Sequence, residues 1–274
     1  MRDTAPTVEL NDGSTMPQLG LGVFRMTDDE AETATTSSLD AGYQLVDTAA
    51  GYGNESGVGR AVARADRGQV FLTTKLTNDD HGYDNALRAF DSSAAKLGVE
   101  VLDLYLIHWP CPAQDRYVET WRALVQLQKD GRAASIGVSN FQPEHLRRII
   151  DSTGVVPAVN QVELHPFLPQ TAERAFMRRH GIVTEAWSPL GAGNGLLEHP
   201  VLRDLAARHG ATPAQIVLAW NLTIGNVVIP KSSNAARMAE NLASRHVTLT
   251  DDDLAAILGL DDGTRYGPHP SQFS

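Results

Sequence analysis

Residues 45–55 read LVDTAAGYGNE, and this stretch decides how the rest of the chain is interpreted. The apolar pair Leu45 and Val46 has the character of a short buried strand, and it runs directly into Asp47. A carboxylate at the end of a buried strand is costly unless it is paired. Tyr52 follows between two glycines, in a context that does not suggest packing. We therefore expect a cationic partner for Asp47 elsewhere in the chain and a use for the Tyr52 hydroxyl.

Short apolar runs of this kind alternate with amphipathic segments along the whole chain. The strand candidates are residues 19–22, 44–47, 70–75, 101–108, 134–138, 158–161, 182–187 and 226–229. Before them, TVELNDGSTMP predicts a hairpin with Asp12-Gly13 at its turn. Eight β/α units in about 250 residues are typical of a TIM barrel. The sequence therefore predicts an α/β fold, a single (β/α)8 barrel domain over residues 1–274 with an N-terminal β-hairpin and a C-terminal loop.

Capping residues between the strands predict where helices begin. The first are Thr27 and Glu30, whose spacing is that of a capping box. The other predicted starts are Asn54-Glu55, Gln142-Pro143, Thr212-Pro213 and Thr250. An open doubly wound sheet is the competing architecture, and it normally carries G-x-G-x-x-G after its first strand. Gly20 and Gly22 begin this fingerprint, but Arg25 stands at its third position. The barrel is the better prediction.

Composition restricts the class of protein. The net charge of −10 argues against nucleic acid or an anionic membrane as the main partner. The single cysteine, Cys111, excludes an internal disulfide and has no cationic neighbour in the sequence to activate it. The N-terminal residues lack the apolar segment of a signal peptide. We expect a cytoplasmic monomer whose partner is a small molecule.

Four chemically active side chains stand where consecutive predicted strands stop: Asp47, Tyr52 in the following loop, Lys75 and His108. Neighbouring strands lie about 4.8 Å apart, so these groups can converge within roughly 10 Å at the C-terminal mouth of a barrel. Singly, each side chain has a more ordinary structural interpretation. Together they form a relay, because a Lys75 ammonium favours the Tyr52 phenolate and Asp47 keeps the lysine charged. Such a group can deliver a proton to a carbonyl oxygen.

A hydride source is also required, and the later strand ends offer groups that could bind one. Ser139-Asn140 and Gln161 present hydroxyl and amide groups suited to a nicotinamide carboxamide, and the Trp187 indole suits stacking on its ring. The loop Ser188–Gly191 could pass over a pyrophosphate. Near the last strand, Lys231, Ser232 and Arg237 form a local basic cluster for an anion, to which a helix N-terminus would add its dipole.

The motifs LVDTAAGYGNE, LYLIHWP, SIGVSNF, VNQVELHP, WSPLG and IPKSSNAARMAEN occur in this order along the chain. In these motifs the sequence resembles the aldo-keto reductases over nearly its whole length, and in particular the bacterial 2,5-diketo-D-gluconate reductases. The resemblance implies an NADPH-dependent carbonyl reductase, with NADH as a weaker cofactor. It further implies that Tyr52 is the general acid and base, that Lys75 and Asp47 lower its pKa, and that His108 orients the substrate carbonyl.

The resemblance also implies the binding residues. The implied cofactor site comprises Ser139, Asn140, Gln161, Trp187, Ser188, Leu190, Lys231, Ser232, Ser233, Asn234, Arg237, Glu240 and Asn241. In it, Lys231, Ser232 and Arg237 contact the 2′-phosphate, and Glu240 and Asn241 contact the adenine. The implied substrate mouth is lined by Phe24, Gly51, Thr77 and Trp109.

Three positions depart from the pattern of the related sequences. Thr77 stands where Trp is common, and Gly51 stands where a bulky apolar residue is usual, so we expect a wider substrate end. Asn234 stands where Arg or Thr is frequent near the 2′-phosphate, so we expect a less strict preference for NADPH.

Two other functions compete with this interpretation. One is a metal-dependent barrel hydrolase or isomerase using His108, His165 and Asp47, although the chain has no paired histidine spacing such as H-x-H. We expect no metal. The other is a partner subunit that binds the cofactor without catalysis, against which the four intact strand-end residues argue.

Overall fold

The computed structural model describes residues 5–273, and it has the predicted alternation of strands and helices. Its strands are β1 Thr7–Glu9, β2 Thr15–Pro17, β3 Gly20–Gly22, β4 Leu45–Asp47, β5 Phe71–Leu76, β6 Leu102–Ile107, β7 Ala133–Ser139, β8 Val159–Glu163, β9 Val183–Trp187 and β10 Val227–Val228. Its helices are α1 Asp28–Ala41, α2 Glu55–Val62, α3 Tyr83–Leu97, α4 Tyr117–Lys129, α5 Pro143–Thr153, α6 Thr171–Arg179, α7 Pro200–His209, α8 Pro213–Thr223, α9 Ala235–Ala243 and α10 Asp251–Leu258.

Strands β3 to β10 form one parallel sheet in which sequence order equals spatial order. Bridges of Leu19 to Val228 and of Gly22 to Lys231 join the first strand to the last, so the sheet closes on itself. The predicted (β/α)8 TIM barrel is confirmed. All eight barrel strands lie within two residues of their predicted bounds.

The predicted N-terminal hairpin is also present, and it closes one end of the barrel. Strands β1 and β2 pair in antiparallel fashion, and Gly13 takes the left-handed conformation that the turn requires, with φ at 85°. Leu10 and Met16 are buried in one apolar cluster with Leu45 and Val227, residues at the N-terminal ends of barrel strands. The opposite, C-terminal end is therefore the one that remains available for a site.

The helix starts follow the predicted signals, with one difference. Thr27, Thr212 and Thr250 each cap a helix with a side-chain oxygen, and Gln142 begins α5 before a proline. Asn54 begins α2 without capping it, because its side chain donates to the carbonyl oxygens of Val23 and Met26 instead. Helix α7, which precedes α8 in the connection from β9 to β10, is not among the predicted elements. No helix within residues 5–273 is long and apolar enough to span a membrane.

The barrel interior changes character along its axis. The end near the N-termini of the strands is apolar and holds the cluster beneath the hairpin. The part toward the C-termini of the strands holds Asp47, Lys75, Gln161 and Glu185, each no more than 2% exposed. Burying this many polar groups is tolerable only if they pair with one another. Their pairing defines the candidate site.

Candidate active site

Asp47 and Lys75 form the buried ion pair that the sequence predicts. Asp47 ends β4, and Lys75 lies near the end of the neighbouring β5. The Lys75 ammonium donates to Asp47 Oδ1 at 2.5 Å and to the Thr48 carbonyl oxygen at 2.8 Å. Burial acts to lower the pKa of Lys75, but the Asp47 carboxylate, through its charge and its hydrogen bond and together with Tyr52, outweighs burial and keeps this pKa above its usual value. The lysine is therefore a fixed cation.

Tyr52 is placed beside this cation by a tight turn. The turn Ala50–Tyr52 follows β4 and ends at Gly53, whose φ of 71° is left-handed. Lys75 Nζ lies 5.1 Å from the centre of the Tyr52 ring, and the His108 ring centre lies 5.5 Å from it. The four predicted strand-end side chains thus converge at the C-terminal mouth.

The pKa of the Tyr52 phenol differs from the expectation in one respect. Burial raises the pKa of Tyr52 above its ordinary value of 10.0, and the opposing effect of the Lys75 charge is smaller. The expected lowering by Lys75 is therefore present but outweighed by burial, and the expectation is wrong for Asp47, whose charge raises this pKa. Burial, followed by the Lys75 charge, lowers the pKa of His108 to about 3. At neutral pH, Tyr52 is a neutral phenol and His108 a neutral imidazole.

Asn140 connects the ends of several barrel strands. Its amide nitrogen donates to the His108 carbonyl oxygen at 3.1 Å and to Ser139 Oγ at 3.0 Å, while its oxygen accepts from the Trp187 indole at 2.8 Å. Ser139 in turn donates to the Gln161 carbonyl oxygen at 2.9 Å. Asn140 holds a left-handed φ of 63°, a conformation that asparagine tolerates better than most residues. These predicted cofactor residues are brought together in one hydrogen-bonded group.

Gln161 links that group to the ion pair. Its amide nitrogen donates to Asp47 Oδ2 at 2.9 Å and to Glu185 Oε2 at 2.8 Å. Glu185, on β9, is a residue of the site that the sequence reasoning missed. The available signal was an acid inside the apolar run IVTEAW, which a buried strand does not carry without a reason. Burial, followed by the Asp47 charge, raises the pKa of Glu185 to about 8.

The predicted phosphate-binding cluster lies at the N-terminus of α9. Asn234 caps this helix, since its side-chain oxygen accepts from the Arg237 backbone N–H at 3.1 Å. Ser232 Oγ accepts from the Asn234 backbone N–H at 3.2 Å. Lys231, Ser233 and Arg237 are exposed. Cationic side chains and a helix N-terminus therefore meet at one place, as a bound phosphate would require.

The positions of the remaining predicted cofactor residues give less specific support for cofactor binding. Glu240 accepts a hydrogen bond from the Thr212 hydroxyl at 2.7 Å, and Asn241 is buried beside it on α9. Ser188 has a left-handed φ of 49° directly after β9, and Leu190 is half-buried in the following loop. The contacts predicted for these residues remain predictions.

The predicted substrate residues lie in the loops that follow β3 to β6. The Phe24 ring centre lies 4.9 Å from that of Tyr52, and Phe24 is 51% exposed at the mouth. A side-chain carbon built on Gly51 would lie 3.6 Å from Thr77 Oγ1, so the two small positions are neighbours. Trp109 is the fourth predicted substrate residue, and its ring centre lies 6.5 Å from that of Trp187.

A C-terminal segment also reaches this mouth, and the sequence analysis predicted only that a loop exists there. The buried carboxylate of Glu163, at the end of β8, accepts from the backbone N–H groups of Tyr266 at 2.6 Å and Gly267 at 2.9 Å. A side-chain carbon on Gly267 would lie 2.4 Å from the Trp187 ring, so only glycine fits here. The Phe273 ring centre lies 4.5 Å from that of Trp109.

The competing metal-dependent function has no support in the described part of the chain. Within residues 5–273, no three His, Cys, Asp or Glu side chains are grouped so as to hold a metal ion. His165, one of the residues named for that function, is buried and hydrogen-bonded to Glu163 at 3.1 Å. Cys111 is buried, and burial raises the pKa of its thiol to about 11, as suits an inert side chain.

Comparison with known proteins is consistent with this geometry. The profile of the Aldo/keto reductase family matches residues 16–262. An aldo-keto reductase of Mycobacterium sp. (strain KMS) is 53% identical over 272 residues, or 98% of each chain. Methylglyoxal reductase DkgA of Escherichia coli (strain K12) is 50% identical over 272 residues, again 98% of each chain. A solved structure of a Gox0644 mutant in complex with NADPH has a TM-score of 0.96 at 49% identity, covering 99% of this chain and 100% of that one.

The family match extends over most of the chain, and the two curated relatives are half identical to it over nearly their whole length. The resemblance stated from the motifs is confirmed: the chain belongs to the aldo/keto reductase family and is an NADP-dependent oxidoreductase.

Proposed function

We propose that this protein reduces aldehydes and ketones to alcohols with NADPH, and that Tyr52 donates the proton. Bound NADPH supplies the hydride. Because one relative is named methylglyoxal reductase, small dicarbonyls such as methylglyoxal are the first substrates to test. The observation that carries the proposal is the Lys75 ammonium, which is buried against Asp47 and lies 5.1 Å from the Tyr52 ring.

The protonation states support this direction of reaction. A general acid must carry its proton at the working pH, and the raised pKa of Tyr52 keeps the phenol protonated. As the proton leaves, the Lys75 charge stabilises the phenolate that forms, and Asp47 keeps the lysine in place. The neutral imidazole of His108 can donate a hydrogen bond to the same carbonyl oxygen without competing for the proton.

The residues at the strand ends fit a nicotinamide. Both N–H groups of the Gln161 amide are directed at carboxyl oxygens, so its carbonyl oxygen is the atom that can accept from a carboxamide. Ser139 donates to the Gln161 backbone carbonyl and Asn140 donates to Ser139, so their side-chain oxygens are the atoms that can accept from the same carboxamide. The half-buried Trp187 ring is fixed by its bond to Asn140 and can stack on the nicotinamide.

The cluster at the start of α9 supports NADPH over NADH. Lys231 and Arg237 bring two cations to a protein with a net charge of −10, and Ser232 adds a hydroxyl. The Asn234 side chain is used to cap the helix rather than to carry charge. We infer a preference for the phosphorylated cofactor that is weaker than that of relatives with arginine in place of Asn234.

We also propose that residues 1–274 act as one barrel domain and as a monomer. The strands close into a single barrel, and the proposed site draws its residues from strands β4 to β9, from the loops that follow β3 to β10 and from α9. Sedimentation equilibrium with and without NADPH would measure the oligomeric state.

The first prediction is that Tyr52→Phe removes most carbonyl reduction and leaves NADPH binding intact. Phenylalanine keeps the ring beside Phe24 and His108 but cannot donate a proton. Loss of general acid catalysis lowers kcat by about 10²–10⁴-fold. The measurement is oxidation of NADPH with methylglyoxal and aromatic aldehydes, with cofactor affinity measured in parallel by protein fluorescence.

Tyr105→Phe is the matched control, because the buried Tyr105 hydroxyl has no hydrogen-bond partner among residues 5–273 and its loss removes no contact to the proposed site. It should retain turnover. Near wild-type turnover in Tyr52→Phe would show that another group is the acid. If wild-type protein binds NADPH but reduces no carbonyl compound, the non-catalytic partner subunit would be the better interpretation.

A further inference from the structure

A second buried acid, Glu185, lies within the barrel and has no part in the proton transfer proposed above. It sits in the middle of β9, with Gln161 of β8 and Val227 of β10 as its register partners. Its side chain is fully buried. A carboxyl group in such a place is costly, so its presence requires a physical explanation.

The neighbours of Glu185 belong to the proposed site. Its Oε2 accepts from the Gln161 amide nitrogen, which also donates to Asp47 Oδ2. Its Oε1 has no hydrogen-bond partner among residues 5–273. The charged and titratable groups that act on it or respond to it electrostatically are Asp47, Lys75 and Tyr52. The group thus contains two carboxyls and one cation.

The excess of carboxyl groups over cations in this group determines whether Glu185 is charged. Lys75 donates directly to Asp47, so the single cation is already committed to one carboxylate. A second buried negative charge would face Asp47 without a cation of its own, which explains why Glu185 keeps its proton up to about pH 8. Above that pH it becomes negative, and its charge favours the protonated form of Tyr52.

We propose that Glu185 is a positioning residue for the proposed reduction: through Gln161 it holds Asp47 in place, and its charge sets the acid strength of Tyr52. The inference rests on the proposed function of Tyr52. While Glu185 is neutral, Asp47 is the ionised carboxylate of this group that acts on the lysine and the phenol. Once Glu185 is ionised, the phenol holds its proton more tightly and donates it less readily.

The test compares wild type, Glu185→Gln and Glu55→Gln. Glutamine at position 185 can still accept from Gln161 but never ionises. Glu55 is the matched control, because it is buried and hydrogen-bonded to Thr74 but lies outside the proposed site. We expect kcat for carbonyl reduction to fall as pH rises through about 8 in wild type and in Glu55→Gln. In Glu185→Gln this fall should be absent. The ratio of its kcat to that of wild type should therefore rise by about threefold or more as the pH passes from below 8 to above it.

Two readouts do not depend on activity. The infrared C=O stretch of a protonated carboxyl should be present in wild type at neutral pH, disappear as pH rises through about 8, and be missing in Glu185→Gln. In wild type, the folded pKa of about 8 lies above the ordinary 4.5, so the contribution of Glu185 to stability declines between these values and is constant above them. The Tm of Glu185→Gln relative to wild type should therefore rise over the same interval.

The inference is overturned if Glu185→Gln keeps the wild-type fall in kcat, or if wild type lacks the protonated carboxyl signal. The infrared titration of wild type decides the second point even if the variant does not fold. Tyr52→Phe in the same series tests the proposed function separately. Should it keep full turnover while the carboxyl signal titrates near pH 8, Tyr52 would be excluded as the acid and the ionisation of Glu185 would stand.

Discussion

At the scale of single residues, we expect Gly51 and Thr77 to set the free space beside Tyr52. Gly51 directly precedes the tyrosine, and Thr77 follows β5, the strand that carries Lys75. The two positions come from different loops but would be in van der Waals contact if residue 51 had a side chain. Their effects on the size of the mouth should therefore combine.

We predict that Thr77→Trp lowers kcat/KM for wide aromatic aldehydes about tenfold or more beyond any loss with methylglyoxal. The indole would occupy the space left by Gly51, while Tyr52 and Lys75 would keep their chemistry. Steady-state kinetics on a graded series of aldehydes measures this, with Thr77→Ser as the variant of nearly unchanged size. Equal losses on all substrates would show that residue 77 does not face the substrate.

At the scale of elements, the start of α9 combines three features that support the proposed phosphate binding. Asn234 ends the preceding loop and caps the helix, which fixes the orientation of the first backbone N–H groups. Arg237 lies in the first turn, and Lys231 is tied to Gly22 by a strand bridge. The site is therefore built on backbone that the barrel closure holds in place.

We predict that Arg237→Ala weakens NADPH binding about 10–100-fold and NADH binding much less, because a charge-assisted hydrogen bond contributes about 1.5–3 kcal/mol. Dissociation constants for both cofactors at low and high salt measure this, and the NADPH loss should shrink as salt screens the contact. Arg122→Ala, an exposed arginine on α4, should leave both constants unchanged. Equal losses for both cofactors would assign Arg237 to the adenine or the fold.

The elements also show what the sequence can and cannot reveal. Strand ends were predictable because apolar runs stop at polar residues, and this alone placed Asp47, Lys75 and His108 together. Asn234 stands out in the sequence as a departure from the usual Arg or Thr, although asparagine before a helix is an ordinary cap. Glu185 carries a signal in the sequence, an acid inside the apolar run IVTEAW, but no local pattern identifies Gln161 as its partner. The partners of Glu163 lie more than 100 residues away, in the C-terminal loop. The net pKa of Tyr52 depends on desolvation, which no local pattern encodes.

At the scale of the whole molecule, Glu163 fastens the C-terminal segment across the mouth of the barrel. Burial alone would raise its pKa, but His165 and the N–H groups of Tyr266 and Gly267 outweigh this and lower it. The folded pKa thus lies below the ordinary 4.5, so Glu163 contributes stability above that pH and loses it as the pH falls. The segment is held by a charge.

We predict that Glu163→Gln loosens residues 264–273, because glutamine loses the charge and offers an N–H where one backbone N–H now donates. The cost is about 1.5–3 kcal/mol, the range for a hydrogen bond to a charged group. Hydrogen exchange of the Tyr266 and Gly267 amides should quicken, and KM for carbonyl substrates should rise more than kcat falls. Glu144→Gln, at an exposed site on α5, is the control. Unchanged exchange would show that other contacts hold the segment.

The two ends of the barrel differ in a way that matters for anyone attaching this protein to a surface or a fusion partner. The hairpin Thr7–Pro17 covers the end away from the proposed site, whereas Phe273 packs on Trp109 at the mouth itself. An affinity tag or an immobilisation linker joined ahead of the hairpin would face away from incoming substrate. The same addition after Phe273 would crowd the entrance, so N-terminal attachment is the orientation for a working biocatalyst.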